Sequence, residues 1–204
     1  MISGSAAIDD NAIADEDRLR ADFYRLLARF LNQPPSQSDL AFAANLEGSD
    51  APIGKAVRSF ARIAANTDII QADDEYHALF IGVGRGELLP FGSYYLTGFL
   101  HEKPLARLRR DMAELNIEAD PDATEPEDHA AAVLDIMAGL IDGSFGKPRA
   151  LASQKKFFDA HVDSWMPLFF RDLEGASKSV LFAALAQIGA RFLEIESAAF
   201  EMND

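Results

Sequence analysis

The side chains best suited to chemistry lie in two short constellations. Glu125-Pro126-Glu127-Asp128-His129 sets three carboxylates and a histidine within five residues. Glu75-Tyr76-His77-Ala78-Leu79-Phe80 is followed, beyond a glycine-punctuated turn, by Pro90-Phe91-Gly92-Ser93-Tyr94-Tyr95. A carboxylate beside an imidazole can serve general acid–base catalysis, but that work needs a positioned partner the sequence does not reveal. A metal centre needs several ligands on one face, whereas His77, His101, His129 and His161 are scattered singly with no His-Glu-x-x-His pair. Gly82-Val83-Gly84-Arg85-Gly86-Glu87 has the glycines of a phosphate loop without its Lys-Ser/Thr, and it follows a helix where such loops need a strand. Glycines after a helix are routinely caps. What remains is recognition: carboxylates that hold a cationic ligand through charge-assisted bonds, and aromatic side chains that shelter an apolar one.

Both constellations also have plainer explanations. Tyr76, Leu79 and Phe80 at i, i+3 and i+4 are what any core-facing helix shows. Pro90 and Gly92 fix a bend, with Phe91 and Tyr95 one helical turn apart, and such a bend can leave aromatic faces lining a groove. Thr124 and Glu127 have capping-box spacing, Pro126 suits a first helical turn, and Glu125, Glu127 and Asp128 complement a helix dipole. None of this accounts for His129, one turn before Val133 and beside the apolar stripe Val133, Leu134, Met137 and Ile141.

The elements that must position these residues are helical throughout. Leu19, Phe23, Leu26, Leu27 and Phe30 recur at three- and four-residue steps until Asn32-Gln33-Pro34-Pro35 stops the helix. Leu181, Leu185, Ile188, Phe192 and Ile195 mark a long C-terminal helix beginning near Ser177, and Phe157, Phe158, His161 and Trp165 mark another that Pro167 ends or bends. Shorter helices are expected at 38–46, 52–65, 69–81, 93–100, 104–115 and 126–141, about nine or ten in all. There is no period-two alternation, no hairpin signal and no repeat, so the chain is expected to be all-α. The polar, proline-split stretch 116–124 reads as a linker between an N-terminal lobe, 15–115, and a C-terminal lobe, 125–204, within one structural unit. Residues 1–14 are expected to be disordered.

A formal charge of −14 over 204 residues argues against nucleic-acid binding, which rests on Lys and Arg neutralising phosphates, and favours cationic partners. The absence of cysteine excludes disulfides and thiolate sites and leans intracellular. The N-terminus lacks a basic region and turns acidic at once, unlike a secretory signal. The uncharged stretch 88–100 is too short for the roughly 20 residues that span a bilayer. A cytoplasmic protein without stable membrane insertion is expected.

With these residues in hand, the chain resembles the TorD/DmsD family of cytoplasmic chaperones for molybdenum-cofactor enzymes. The likeness runs over most of the chain, and its specific part is the ordered pair of motifs. The family's aromatic-x-x-Leu-Phe appears as Tyr76, Leu79 and Phe80; its Pro-aromatic-Gly-Ser as Pro90, Phe91, Gly92 and Ser93, with Tyr95 two residues on; its Glu-Pro-x-Asp-His as Glu125, Pro126, Asp128 and His129, with Glu127 between. Tyr76, Phe91 and Tyr95 stand where relatives often carry Trp, a departure that bears on peptide preference. The resemblance implies a family-specific all-helical fold, no catalytic residue, metal or cofactor, and a site at these thirteen positions. It implies binding to the twin-arginine leader peptide and to the apo-molybdoenzyme catalytic subunit, held for cofactor insertion before export. It also implies a monomer or a domain-swapped homo-oligomer, with 116–124 as the pivot. A helical adaptor indifferent to the leader, and a small helical enzyme, are the alternatives.

Overall fold

The computed structural model describes residues 13–82 and 85–202. The expected disorder of 1–14 therefore falls almost wholly outside the described residues, as do Val83 and Gly84 of the glycine turn. Among the described residues ten α-helices account for the architecture and no strand occurs, only one isolated β-bridge.

The first helix, α1 (Asp15–Asn32), opens on Asp15, Glu16 and Asp17, which complement its N-terminal dipole. It buries Ala21, Tyr24, Leu27, Ala28 and Leu31. Leu19, expected on that stripe, is instead 59% exposed, because the buried face is centred on the smaller Ala21 and Ala28. Helix α2 (Gln37–Ala44) starts at a capping box of Ser36 and Asp39, and α3 (Pro52–Ala64) at a first-turn proline. Helix α4 (Ile69–Tyr76) has a second capping box, Asp68 with Gln71, and runs into a π-helical turn, His77–Ile81. Next come α5 (Gly92–Thr97), α6 (Lys103–Glu114) and α7 (Ala130–Asp142). Helix α8 (Leu151–Phe157) also ends in a π-helical turn, Phe158–Asp163, before Pro167 opens α9 (Met166–Gly175). The last helix, α10, spans Leu181–Glu201, four residues later than the apolar stripe suggested.

Helix α7 is apolar nearly all round, with Val133, Leu134, Ile136, Met137, Leu140 and Ile141 all buried, and such a helix belongs at a core. It packs along α1, while α10 packs on α3 and α9, so one hydrophobic core draws on chain from both sides of the 116–124 stretch. Within that stretch Asn116 adopts φ 55°, Ile117 is buried, and 118–124 is exposed and non-helical. Close approach of α9 to α10 needs Gly189, where an added Cβ would lie 2.6 Å from the Phe170 ring.

An ionic cluster is buried between α1 and α10. Glu196 takes the Arg20 guanidinium through both oxygens, at 2.7 and 2.9 Å, and the Tyr24 hydroxyl at 3.0 Å. Its charge is fully partnered, which is the condition under which a buried carboxylate is tolerated.

Candidate functional site

The two motifs meet through backbone. Phe91 and His129 form the isolated antiparallel bridge. Around it the Ala130 N–H donates to the Pro90 carbonyl at 2.8 Å and the Gly92 N–H to the Asp128 carbonyl at 2.9 Å. The Ser93 N–H donates to Asp128 Oδ2 at 2.7 Å. Asp128 therefore satisfies the open N–H groups at the start of α5, a helix far from it in sequence.

This geometry corrects the expected helix start. Helix α7 begins at Ala130, not Pro126, and its N-cap is His129, whose Nδ1 accepts the Ala131 N–H at 3.2 Å. Thr124 and Glu127 make no capping box. Pro126 belongs to the preceding turn, where its carbonyl accepts the His129 N–H at 3.0 Å. Asp128 is no exposed helix-start acid but 3% exposed. Burial, partly opposed by the Asp128 charge, lowers the His129 pKa to about 4. The ring is then neutral, as an accepting Nδ1 requires, and it stands 5.1 Å from the Phe91 ring.

The remaining carboxylates of the motif differ in availability. Glu127 is held by Arg109 of α6 through two nitrogens, with contacts of 2.8 to 3.1 Å, and this pairing holds its carboxyl below the usual range. Glu125 is exposed, and its charge helps burial push the Tyr76 hydroxyl up to about 12. Of the expected carboxylates, Glu127 is engaged by Arg109, Glu125 is exposed, and Asp128 keeps one oxygen, Oδ1, without a partner.

Tyr76 and Leu79 do not line a groove. Tyr76, at the end of α4, is 5% exposed and packs against Phe182 of α10, and Leu79, in the π-helical turn, is wholly buried. The Tyr76 ring lies 5.0 Å from Phe80 and 5.9 Å from Phe182, and Phe80 itself, half-buried, lies 5.5 Å from Phe182. The Tyr76 hydroxyl donates to the Leu31 carbonyl at 3.3 Å. No local pattern points to the role of Glu75: its carboxylate accepts the N–H groups of Val180, Leu181 and Phe182 at 2.7 to 3.1 Å and so caps α10. Glu87 similarly accepts the Ser177 N–H and hydroxyl. Only an acidic residue far upstream of an uncapped helix hints at such a pairing.

A cleft of about 520 Å³ opens beside the bridge, lined by Gly92, Leu96, Arg107, Asp128, His161 and Trp165 among others. Trp165 is fixed by donating Nε1 to the His161 carbonyl at 2.7 Å, and a Cβ on Gly92 would come within 3.1 Å of that nitrogen. Tyr95, half-buried, lies 5.5 Å from Trp165 and donates its hydroxyl to Asp172 at 3.2 Å. His161, missed as a site residue, pairs with buried Asp111 at 2.8 Å. Two buried polar atoms have no partner here, Oδ1 of Asp128, which lines the cleft, and Oγ of Ser93, the neighbour of cleft-lining Gly92. Such atoms are unfavourable unless something satisfies them. Among the described residues no three His, Asp or Glu side chains are grouped to hold a metal.

The all-helical architecture has a counterpart among solved structures. A crystal structure described as a redox enzyme maturation protein from Archaeoglobus fulgidus superposes with TM-score 0.61 at 21% identity, covering 86% of this chain and 94% of that one. Residues 46–171 match the family model of the nitrate reductase delta subunit, and the chain belongs to that family. Chaperone protein TorD of Vibrio parahaemolyticus is 25% identical over 61% of this chain and 61% of its own length. TorD of Vibrio cholerae is 29% identical over 57% and 56%, and TorD of Vibrio vulnificus 25% identical over 74% and 80%. The chain thus spans about three fifths of the first of these relatives. The resemblance carried by the paired motifs is borne out.

Proposed function

We propose that this protein is a molybdoenzyme maturation chaperone, not an enzyme, that binds the twin-arginine leader of its client in the cytoplasm. It holds the apo catalytic subunit until the cofactor is inserted. The observation that supports this most is the bridge joining Pro90–Ser93 to Asp128–His129, with Asp128 Oδ1 and Ser93 Oγ left unpartnered beside an open cleft. A leader supplies what these atoms lack, namely guanidinium or backbone N–H donors. It also carries an apolar segment, which suits the Leu96 and Trp165 walls and the Tyr95 edge. A net charge of −14 draws a cationic leader in from a distance.

The thirteen motif positions then divide into two kinds of work. Asp128, Ser93, Gly92 and Tyr95 face or border the ligand, with Glu125 as a peripheral anion. Tyr76, Leu79, Phe80, Pro90, Phe91, Pro126 and His129 shape the site from within, and Glu127 braces it against α6.

Titration calorimetry with the native leader, a scrambled leader and a salt series tests this. The native peptide should bind more tightly, with an affinity that falls as salt rises and levels off at an apolar remainder, since exposed charges are screened beyond roughly 8 Å at physiological ionic strength. Equal affinity for both peptides leaves only a nonspecific acidic surface. An adaptor would retain the mature client after leader deletion.

A further inference from the structure

The connection between α5 and α6 adjoins the leader cleft at Leu96 and carries two further exposed apolar side chains, Phe99 and Leu100, outside the cleft lining. Leu96, Phe99 and Leu100 are 44%, 69% and 39% exposed within five residues, an unusual density of solvent-facing apolar side chains. The connection is built, not loose. Gly98 ends α5 with φ 82°, His101 turns the chain with φ 60°, and Thr97 Oγ1 donates to the Ser93 carbonyl at 2.7 Å while accepting the Phe99 N–H at 3.2 Å. Phe99 is thereby held at the tip.

Cations follow at once. Lys103, Arg107 and Arg110 recur at i, i+4 and i+7 on α6, opposite its buried Leu105, Leu108 and Met112. They share a cleft rim with Leu96 and Thr97, and Phe99 and Leu100 lie in the chain between that rim and Lys103, which sets the apolar tip beside the cationic stripe. Lys103 has no ion-pair partner among the described residues. Arg107 and Arg110 lie 3.8 and 3.2 Å from the same carboxylate, Asp111, which is also bonded by His161. Glu102 is the exposed acid of the connection, and His101 stands beside it. In a chain of charge −14 this is a local reversal of sign, and only charges within about 8 Å of a docked surface are felt at physiological salt.

We propose that this tip and stripe dock on an anionic phospholipid surface, with Phe99 and its leucine neighbours entering the interface and Lys103, Arg107 and Arg110 on the headgroups. Apolar side chains beside Lys and Arg are the composition of an interfacial anchor, and each cation near an anionic leaflet strengthens binding by roughly fivefold. No described helix is long and apolar enough to cross a membrane, so the attachment is peripheral. This goes beyond leader recognition and does not depend on it.

Flotation of the full chain, without leader, on vesicles of phosphatidylcholine alone and with one-quarter phosphatidylglycerol tests the surface. Binding is expected only to the anionic vesicles and should be largely lost in high salt. Phe99→Glu and Lys103→Glu should each lower partitioning about tenfold, while Arg191→Glu on α10 leaves it unchanged. Because Phe99 and Lys103 are exposed, the thermal melts of these variants should match wild type, which separates lost docking from lost folding. Absent binding, equal binding to neutral vesicles, or insensitivity to Phe99→Glu overturns the proposal. So does a wild-type dimer that Phe99→Glu turns into a monomer with no change on vesicles, which would make the tip a contact between copies.

Discussion

Tyr76 and Phe91 head two aromatic motifs of similar composition, yet the fold uses them in opposite ways. Around Tyr76 the hydroxyl reaches the Leu31 carbonyl and neighbouring Glu75 takes three N–H groups of the α10 start, leaving only the Ser179 hydroxyl beside that start without a partner among the described residues. Around Phe91 the backbone is tied across the chain to His129, but a carboxylate oxygen and a hydroxyl stay unsatisfied next to a cleft. The first region is a completed core and clasp. The second retains unmet bonding capacity, which is a mark of a site awaiting something. Motif composition alone does not distinguish the two; the ledger of hydrogen-bond partners does.

The largest effect should come from the completed region. Leu79 is wholly buried, so Leu79→Ala removes apolar contact and leaves a cavity, destabilising by roughly 2–5 kcal/mol. Urea unfolding followed by circular dichroism measures this. Leader affinity per folded molecule should stay near wild type; a large loss there, with an unchanged midpoint, would return Leu79 to the groove and erase the contrast.

What the sequence showed, and what it hid, follows the same division. Helical periodicity located the elements because burying one face of a helix imposes it. It misplaced Leu19 and the start of α10 because the buried face depends on which neighbour packs there, and the clasp of Glu75 on 180–182 joins positions over a hundred residues apart. Glu125–His129 looked like a helix start because local capping rules fit it. The nonlocal competitor, the α5 N-terminus asking for Asp128, has no local signature. The candidate residues were nameable from the motifs, but which of them the fold would bury and which it would leave at the cleft was not.

A second prediction uses pH to probe the bridge. His129 has its pKa lowered to about 4 by burial, against an ordinary value of 6.5. Between these values the unfolded chain binds a proton that the folded one refuses, so stability rises with pH there. Its contribution is complete above about pH 6.5 and is lost as pH falls toward 4, in total about 3 kcal/mol from a shift of this size. His129→Asn retains an N-cap acceptor without a titrating ring, and its midpoint should fall less steeply across that window. An unaltered slope would show that other groups set the acid limit and that the imidazole is not sealed by the bridge.

The smallest effect on stability, and the sharpest on the comparison, comes from two neutral replacements one residue apart. Asp128→Asn keeps an oxygen for the Ser93 N–H and changes stability by less than about 1 kcal/mol, but it presents an uncharged amide to the cleft. If Oδ1 receives a leader cation, affinity should fall about tenfold or more, the measure of one charge-assisted bond. Glu127→Gln breaks a pair whose Arg109 partner is largely exposed, so its stability change should be at most about 1 kcal/mol. Leader affinity should then hold, since that carboxylate is already engaged. Calorimetry on both variants with one leader decides between the two carboxylates. Equal weakening would mean that Arg109 releases Glu127 when the peptide arrives, making the α6 brace part of the site. Weakening in Glu127→Gln alone would mean that the buried Asp128 is only a cap, and that its unpartnered oxygen waits for water and not for an arginine.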